Sequence, residues 1–205
     1  MQKIKKISLM LMIICLFTGC GKMKGYNVYE RVYLTYKNME SFTAEVEVTS
    51  YSNNSENKYT LTQYYKSPDK QRSEYSSEIG GSNVTVINGG KGKLVSGEAN
   101  AEIELDSAAL KEKNYLMLNT FFENYFSSEE TAVLTSGNEK KGNIRLSAET
   151  GSSNPYRKKI ELLIDSKTLK PIKMTVFDEK NKPSLCIEYI EFEINKEIDE
   201  NIFSV

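Results

Sequence analysis

The chain has 205 residues, a formal net charge of −1 at pH 7 and no histidine. The missing histidine removes the usual general base of serine and cysteine hydrolases, together with the commonest zinc ligand. The glycine-containing segment 88–92 lacks the spacing of a Walker phosphate loop. These absences exclude many enzyme classes, and we predict a protein that is not an enzyme, with no catalytic residue, no metal site and no cofactor other than a covalent lipid.

The N-terminus has the features of an export signal. Lys3, Lys5 and Lys6 form a basic start, and the segment 7–17 is apolar except for one serine. A membrane-spanning helix needs roughly twenty apolar residues, which is more than this segment offers. We therefore predict a signal peptide over residues 1–19.

The end of this segment resembles a bacterial lipobox. Residues 16–20 read Leu-Phe-Thr-Gly-Cys, and bacteria attach diacylglycerol to such a cysteine before they cleave the chain in front of it. We predict that Cys20 carries the diacylglycerol and acyl (palmitate-type) lipid and that residues 20–25 are a tether. The protein would then be exported and held at the outer face of the cytoplasmic or spore membrane.

Cleavage before Cys20 changes the charge balance. It leaves 24 basic and 28 acidic residues, a formal charge of −4. This balance lacks the basic footprint that phosphate backbones require, so we predict no nucleic-acid partner. Lysine greatly outnumbers arginine, as in AT-rich genomes, which indicates a low-GC Gram-positive source. The remaining length suits one domain, predicted over residues 26–205.

The first half of this domain is predicted to be one helix followed by a meander of strands. Val28, Val32 and Tyr36 recur at a spacing of four, which predicts an amphipathic helix over residues 26–39. From Phe42 to Val48 apolar residues alternate with polar ones, so a half-exposed antiparallel strand is predicted. Further strands are predicted over 59–65, 72–76 and 84–87, and residues 88–91 have the composition of a hairpin turn.

The second half begins with an aromatic helix. Residues 96–107 are small and polar, and no element is predicted there, whereas residues 108–126 are predicted to form one helix that covers the sheet. A plug over a lipid-sized cavity is the alternative interpretation of this helix. Strands are predicted over 132–135, 144–148, 157–164, 172–177 and 185–194.

Cysteine usage permits no internal disulfide in the exported protein. Cys15 leaves with the signal and Cys20 is lipidated, so Cys186 is the single remaining thiol. Cys186 falls in a strand-like run, and we predict a small buried core residue. A bridge to another chain is the alternative, because an odd cysteine in an exported protein can pair between molecules.

A candidate contact residue follows from the pattern of the second strand. Tyr64 and Tyr65 are adjacent, and neighbouring side chains of a strand point to opposite faces. One of the two tyrosines should therefore be exposed. We predict that Tyr64 is an anchor for a protein partner.

The order of elements resembles the LolA-like lipoprotein-carrier fold. That fold is an α+β structure, a strongly bent antiparallel half-barrel with helices covering its concave face. The resemblance rests on Tyr65–Arg72, on Ile164 and Asp165 with Pro171–Met174, and on the ending Phe192–Phe203. Arg72, at the opening of a strand as in that family, is our second candidate partner contact.

With its lipobox, the chain is most similar to the germination lipoproteins of clostridial spore formers, the GerS type. Those proteins are implicated in degrading the spore cortex through a zinc-dependent N-acetylmuramoyl-L-alanine amidase that forms muramic-δ-lactam. The resemblance implies a non-catalytic protein, needed for germination, that binds and activates such an amidase. The zinc would belong to the partner.

Three alternatives stay open at this point. A membrane-anchored lipid or lipoprotein-binding protein is one, provided that Phe121, Phe122, Tyr125 and Phe126 do not fill the cavity. An envelope-stress sensor of the same fold is the second. A homodimer that pairs through an exposed sheet edge is compatible with either function.

Overall fold

The computed structural model describes residues 25–52, 55–76, 81–99, 101–127, 142–150 and 152–204. The predicted signal peptide, the lipid-attachment residue Cys20 and the predicted strand 132–135 lie outside the described residues. The chain divides into two compact units, Met1–Thr35 and Tyr36–Val205. Among the described residues, none of the helices is long and apolar enough to cross a membrane.

The first unit contains the start of helix α1 (Val28–Lys37), which lies within the predicted span 26–39. Its N-terminus is closed by a reciprocal pair of hydrogen bonds. Asn27 Oδ1 accepts from the backbone N–H groups of Tyr29 and Glu30 at 2.9 and 3.0 Å, and Glu30 Oε2 accepts from the Asn27 N–H at 2.8 Å. This capping box satisfies backbone donors that the first helical turn leaves free.

The second unit contains ten strands in one antiparallel sheet. Their order across the sheet is β6-β5-β4-β3-β2-β1-β10-β9-β8-β7, so two sequential meanders are joined where β1 pairs with β10. The strands are β1 (Ser41–Tyr51), β2 (Glu56–Lys66), β3 (Lys70–Ser76), β4 (Ser82–Asn88), β5 (Lys91–Ser96), β6 (Ala101–Leu105), β7 (Asn143–Glu149), β8 (Lys159–Asp165), β9 (Pro171–Phe177) and β10 (Pro183–Ile194).

The alternation predicted for β1 is confirmed and defines the two faces of the sheet. Phe42, Ala44, Val46 and Val48 are at most 3% exposed, and they lie on the face that we call the inner face. The opposite face, which carries Glu45, is the outer face. In register with β1, the inner face continues through Leu61 and Tyr65 of β2, Ile187 of β10, Met174 of β9, Leu162 of β8 and Leu146 of β7.

Two helices follow β6 where the sequence predicted one. Asp106 Oδ1 accepts from the backbone N–H of Ala109 at 2.8 Å and so caps helix α2 (Ser107–Asn114). The helical path is then interrupted, because Gln63 Nε2 donates to the carbonyl of Leu116 at 2.9 Å, and helix α3 (Leu118–Ser127) begins two residues later. The prediction of one helix over 108–126 is therefore wrong, since a side chain of the sheet takes up the carbonyl at the break.

The small and polar segment 96–107 contains a strand that was not predicted. The sequence Ala-Glu-Ile-Glu-Leu of β6 alternates with period two, but flanking small residues hid this signal. Strand β6 pairs with β5 along one side, and among the described residues no strand pairs with its other side. The sheet is therefore open at β6.

The C-terminus covers part of the outer face. A short 3₁₀ helix (Glu200–Phe203) contacts β3 and β4, and its carbonyls accept hydrogen bonds from Arg72 and Asn88 at 3.2 and 3.1 Å. Val86 pairs with Arg72 in the register of β3 and β4 and is buried, as is Phe203. The α+β architecture predicted from the sequence, an antiparallel half-barrel sheet with helices over one face, is confirmed.

The burial of Phe203 leads to a stability prediction. Because its ring is 1% exposed, we expect Phe203→Ala to lower the free energy of unfolding by about 3–5 kcal/mol, the usual cost of removing a buried aromatic side chain. Urea unfolding followed by circular dichroism measures this change. The matched control is Tyr156→Ala, because Tyr156 is 60% exposed and should lose no more than about 0.5 kcal/mol. Equal losses for the two variants would contradict the packing described here.

Candidate functional site

The inner face holds a cavity of about 320 Å³ between the β2–β5 half of the sheet and the α2–α3 junction. Its walls are mostly apolar, with tyrosines and small polar groups of the strands among them. It is lined by Tyr59, Leu61, Gln71, Ser73, Tyr75, Asn83, Thr85, Ile87, Leu94, Lys113, Leu116 and Met117. Its size and walls are those of a site for a small apolar or amphipathic ligand.

Helix α3 fills its own part of the inner face with aromatic rings. Phe121 and Phe122 are 1% and 2% exposed, and the Phe122 ring stacks on Tyr36 with 4.0 Å between ring centroids. Phe122 also stacks on Phe126 at 5.5 Å. The core interpretation of this helix is confirmed for Phe121 and Phe122. The plug interpretation stays a prediction, because none of the rings of α3 lines the cavity beside the β2–β5 strands.

Two buried glutamines give this region polar character. Gln63 is fully buried and Gln71 is 7% exposed. Among the described residues, neither Oε1 atom has a hydrogen-bond donor. A buried acceptor without a donor costs about 1–3 kcal/mol. Gln71 lines the cavity, so its Oε1 atom is placed to accept a hydrogen bond from a ligand that carries a donor group.

The outer face holds a second concave site, which we call the outer groove, with a volume of about 350 Å³. It runs between strands β1, β2 and β10 and the C-terminal segment 196–202. Tyr64, the predicted partner anchor, is half-buried in its wall. The outer groove is lined by Thr43, Ala44, Glu45, Thr62, Tyr64, Glu191, Phe192, Glu193, Lys196, Glu197, Ile198, Asp199 and Ile202.

Arg72, the other predicted contact, holds the C-terminal segment in place. Its Nε donates to Glu74 Oε1 at 2.7 Å, and its Nη1 donates to the Ile202 carbonyl at 3.2 Å. Arg72 lies on β3, and the C-terminal segment that it binds also forms one wall of the outer groove. The structure therefore brings Tyr64 and Arg72 to the same side of the sheet, with Tyr64 in the groove wall and Arg72 beneath the segment.

A pair of lysines secures the same segment. Lys66 Nζ lies 2.6 Å from Glu200 Oε1, and Lys70 Nζ pairs with the other carboxylate oxygen. Hydrogen bonds from Lys66 and Lys70 lower the pKa of Glu200 from its ordinary 4.5 to about 2. The carboxylate is exposed, so solvent screening limits what these ion pairs contribute to stability.

Cys186 is buried, as predicted, at 3% exposure. Burial raises the pKa of its thiol, although Lys173 opposes the shift. Lys173 is itself paired with Glu188 at 3.0 Å. A buried thiol with a raised pKa is poorly reactive at neutral pH, which favours the core interpretation over a bridge between chains.

The described residues contain no group of three or more histidine, cysteine, aspartate or glutamate side chains placed to hold a metal ion. Within the described residues, the protein is an α+β antiparallel half-barrel sheet with a concave site on each face. The chain belongs to the family described as Sporulation protein YdcC-like, whose profile matches residues 1–203. The predicted membership in a sporulation-related family with a LolA-like fold is confirmed.

Three solved structures that this chain matches are the following. An uncharacterized conserved protein from Thermus thermophilus is 14% identical, with 87% of this chain and 91% of that chain covered and a TM-score of 0.51. The structure of the CwlD amidase from Clostridioides difficile in complex with the GerS lipoprotein matches at 26% identity, 81% and 93% coverage and a TM-score of 0.49. The LolA superfamily protein NE2245 from Nitrosomonas europaea matches at 9% identity, 88% and 99% coverage and a TM-score of 0.46. Among curated proteins, none matches this chain.

Sequence reasoning missed the buried glutamines of the inner face and most of the outer groove. A signal for the former exists, because Gln63 stands between Leu61 and Tyr65 at an inward-facing position of an alternating strand. The outer groove has no such signal. Its walls come from β1, β2, β10 and the C-terminal segment, which only the sheet order brings together.

The lowered pKa of Glu200 leads to a pH-dependent prediction. Because the folded-state pKa lies below the ordinary value of 4.5, the ion pairs stabilise the fold above pH 4.5 and lose their effect as the pH falls towards 2. We expect Glu200→Gln to lower the thermal midpoint at pH 7 and to converge with the unmodified protein at acid pH. Thermal scans across this range measure the difference. The control is Glu104→Gln, an exposed glutamate of β6, and a gap that is constant with pH would refute the linkage.

Proposed function

We propose that this protein is a lipid-anchored, non-catalytic lipoprotein that binds a cell-wall N-acetylmuramoyl-L-alanine amidase of a spore-forming bacterium. The family match over residues 1–203 carries the proposal, because it gives the chain a role related to sporulation. The anchor is Cys20, within a sequence that resembles a lipobox. The protein would lie on the outer face of the cytoplasmic or spore membrane, where cortex material is accessible.

The amidase partner is supported by the segments that resemble germination lipoproteins. Tyr65–Arg72 and Phe192–Phe203 form the resemblance in sequence, and in the structure both border the outer groove or the segment that walls it. The groove also contains Tyr64, whose ring and hydroxyl suit an interface anchor. A protein partner therefore has a formed, partly apolar surface on which to dock.

Activation of the amidase is the next step of the proposal. The zinc and the catalytic groups for muramic-δ-lactam formation belong to the amidase, and this protein contributes binding energy. A ligand that binds only one conformation of an enzyme shifts its population towards that conformation. Binding by the lipoprotein would in this way favour the zinc-loaded, active amidase and confine it to the membrane surface.

The proposal predicts a gain of function when the two proteins are mixed. We expect the full chain, purified in detergent, to raise both the zinc content and the cortex-cleaving activity of the amidase from the same organism. Zinc is measured by elemental analysis of the isolated amidase and activity by the release of muramic-δ-lactam. The control replaces the protein with a heat-denatured sample. Absence of binding and of any gain would reject the proposal.

The inner cavity favours one alternative, a membrane-anchored protein that binds lipid. Its apolar lining and its volume of about 320 Å³ would accept part of an acyl chain. In that case native mass spectrometry of the purified protein should reveal a non-covalent lipid in addition to the covalent one. Replacing Leu94, a cavity-lining residue, by Phe should displace this lipid, whereas Val95→Phe, which lies on the opposite face of β5, should not. A protein free of non-covalent lipid would reject this alternative.

The open edge at β6 bears on the proposed homodimer. Antiparallel pairing of two β6 strands centred on Ile103 would place Glu102 of one copy opposite Glu104 of the other. Like charges directly opposite one another destabilise strand pairing. Ile103 is 54% exposed, but its acidic neighbours disfavour this register, in the manner by which proteins protect free edges.

A further inference from the structure

The centre of the outer face contains two pairs of directly opposed glutamates. In the register of β1 and β10, Glu45 faces Glu191 and Glu47 faces Glu188. The second pair is neutralised by lysines, because Lys58 lies 3.6 Å from Glu47 and Lys173 lies 3.0 Å from Glu188. The first pair, Glu45 and Glu191, has no lysine paired with it among the described residues. Among the described residues, none forms an ion pair or a hydrogen bond with the side chain of Glu45 or Glu191.

An uncompensated pair of this kind costs stability, since like charges opposite each other on a sheet repel. The pair also adjoins a β-bulge. Glu45 pairs with Glu191 and Val46 pairs with Tyr189, so Ile190 is the extra residue of β10. Ile190 is 62% exposed. Bulges commonly redirect side chains at functional surfaces, and this one leaves an apolar side chain beside two free carboxylates.

The outer groove extends this surface. Part of its lining is apolar, because Ile198, at 7% exposure, and Ile202 both contribute to it. The rim is acidic and carries Glu197 and Asp199 in addition to the opposed pair. The single lysine of the lining, Lys196, forms its ion pair with Glu193. Glu191 acts on Lys196 more weakly than Glu193 does.

We infer that the outer groove binds a basic segment of the partner protein, with a lysine or arginine of that segment placed between Glu45 and Glu191. A guanidinium or ammonium group there would convert the repulsive pair into two charge-assisted hydrogen bonds. The aliphatic stem of the same residue, or an apolar neighbour, would pack against Tyr64. The inference rests on the proposed function, in which the partner is the amidase.

A second copy of this chain is a poorer occupant of the groove. The protein is acidic after cleavage, and the rim would meet a surface of like overall charge. Charge complementarity therefore selects a basic partner and adds to the rate of encounter at low salt. It also makes the interaction sensitive to ionic strength.

The test removes the charge of the pair without adding bulk. We expect the double variant Glu45→Gln and Glu191→Gln to bind the amidase about tenfold more weakly by calorimetry, a loss on the scale of interfacial charged hydrogen bonds. The same variant should unfold at an equal or higher temperature, because the repulsion is gone. A merely structural role for the pair would not combine weaker binding with undiminished stability.

The matched control is the double variant Glu56→Gln and Glu104→Gln. Both glutamates are exposed strand residues outside the groove lining, so net charge changes equally while the groove is intact. This control should bind the amidase as the unmodified protein does. Tyr64→Ala should weaken binding in addition, through lost packing.

The possible outcomes distinguish a failure of the groove inference from a failure of the proposed function. If the unmodified protein binds the amidase and the groove variant binds equally well, the groove inference is overturned and the proposed function stands. If the control variant loses as much binding as the groove variant, the groove inference is also overturned, because the change in net charge would then be the cause. If the unmodified protein binds no amidase, both fail. If the unmodified protein self-associates and the groove variant does not, the occupant of the groove is a second copy of this chain, and the inference of a basic partner is overturned.

Discussion

The pairing of β1 with β10 is the constraint on which the rest of this structure depends. Strands β1 to β6 form one meander and β7 to β10 another, and this pairing makes them a single sheet. It joins residues near the two ends of the sheet-forming chain, such as Val48 and Ile187. Because the contact is so distant in sequence, its loop-closure entropy must be offset by burial, and the inner-face side chains at this seam are almost fully buried.

The two faces of the sheet differ in their chemistry along this pairing of β1 with β10. On the inner face the helices cover the sheet unevenly, since α3 fills its side with aromatic rings while the break before α3 leaves a cavity beside β2–β5. On the outer face the seam carries the bulge at Ile190 and the opposed carboxylates, and the C-terminal segment forms a wall beside them. The sheet thus presents an apolar site and an acidic groove on opposite sides.

The C-terminal segment is held by several contacts and forms one wall of the outer groove. Arg72 and Asn88 bind its carbonyls, Lys66 and Lys70 bind Glu200, and Phe203 packs into the outer face. These contacts fix the wall of the groove before any partner arrives. A preformed wall lowers the ordering entropy that binding would otherwise cost, which suits the proposed docking of a partner protein.

Local pattern and tertiary context contributed differently to what could be predicted. The alternation of Phe42 to Val48 predicted a strand with one buried face because side-chain direction on a strand has period two, and burial of Cys186 followed from its strand-like surroundings. The single helix over 108–126 was wrong because Gln63, remote in sequence, takes the Leu116 carbonyl at the break. Strand β6 was missed although its alternation is present, since small flanking residues weakened the signal.

By itself the sequence determined the α+β class, the family resemblance and the exclusion of histidine-dependent chemistry, and it predicted an export signal and a lipobox, because each depends on residue type or local period. Only the tertiary structure decided which glutamates oppose one another, where Arg72 finds its partners and that Tyr64 lies in a groove. Those features arise from the register of β1 with β10 and from the path of the C-terminal segment. Register and path depend on contacts between residues far apart in the chain, which no local pattern records.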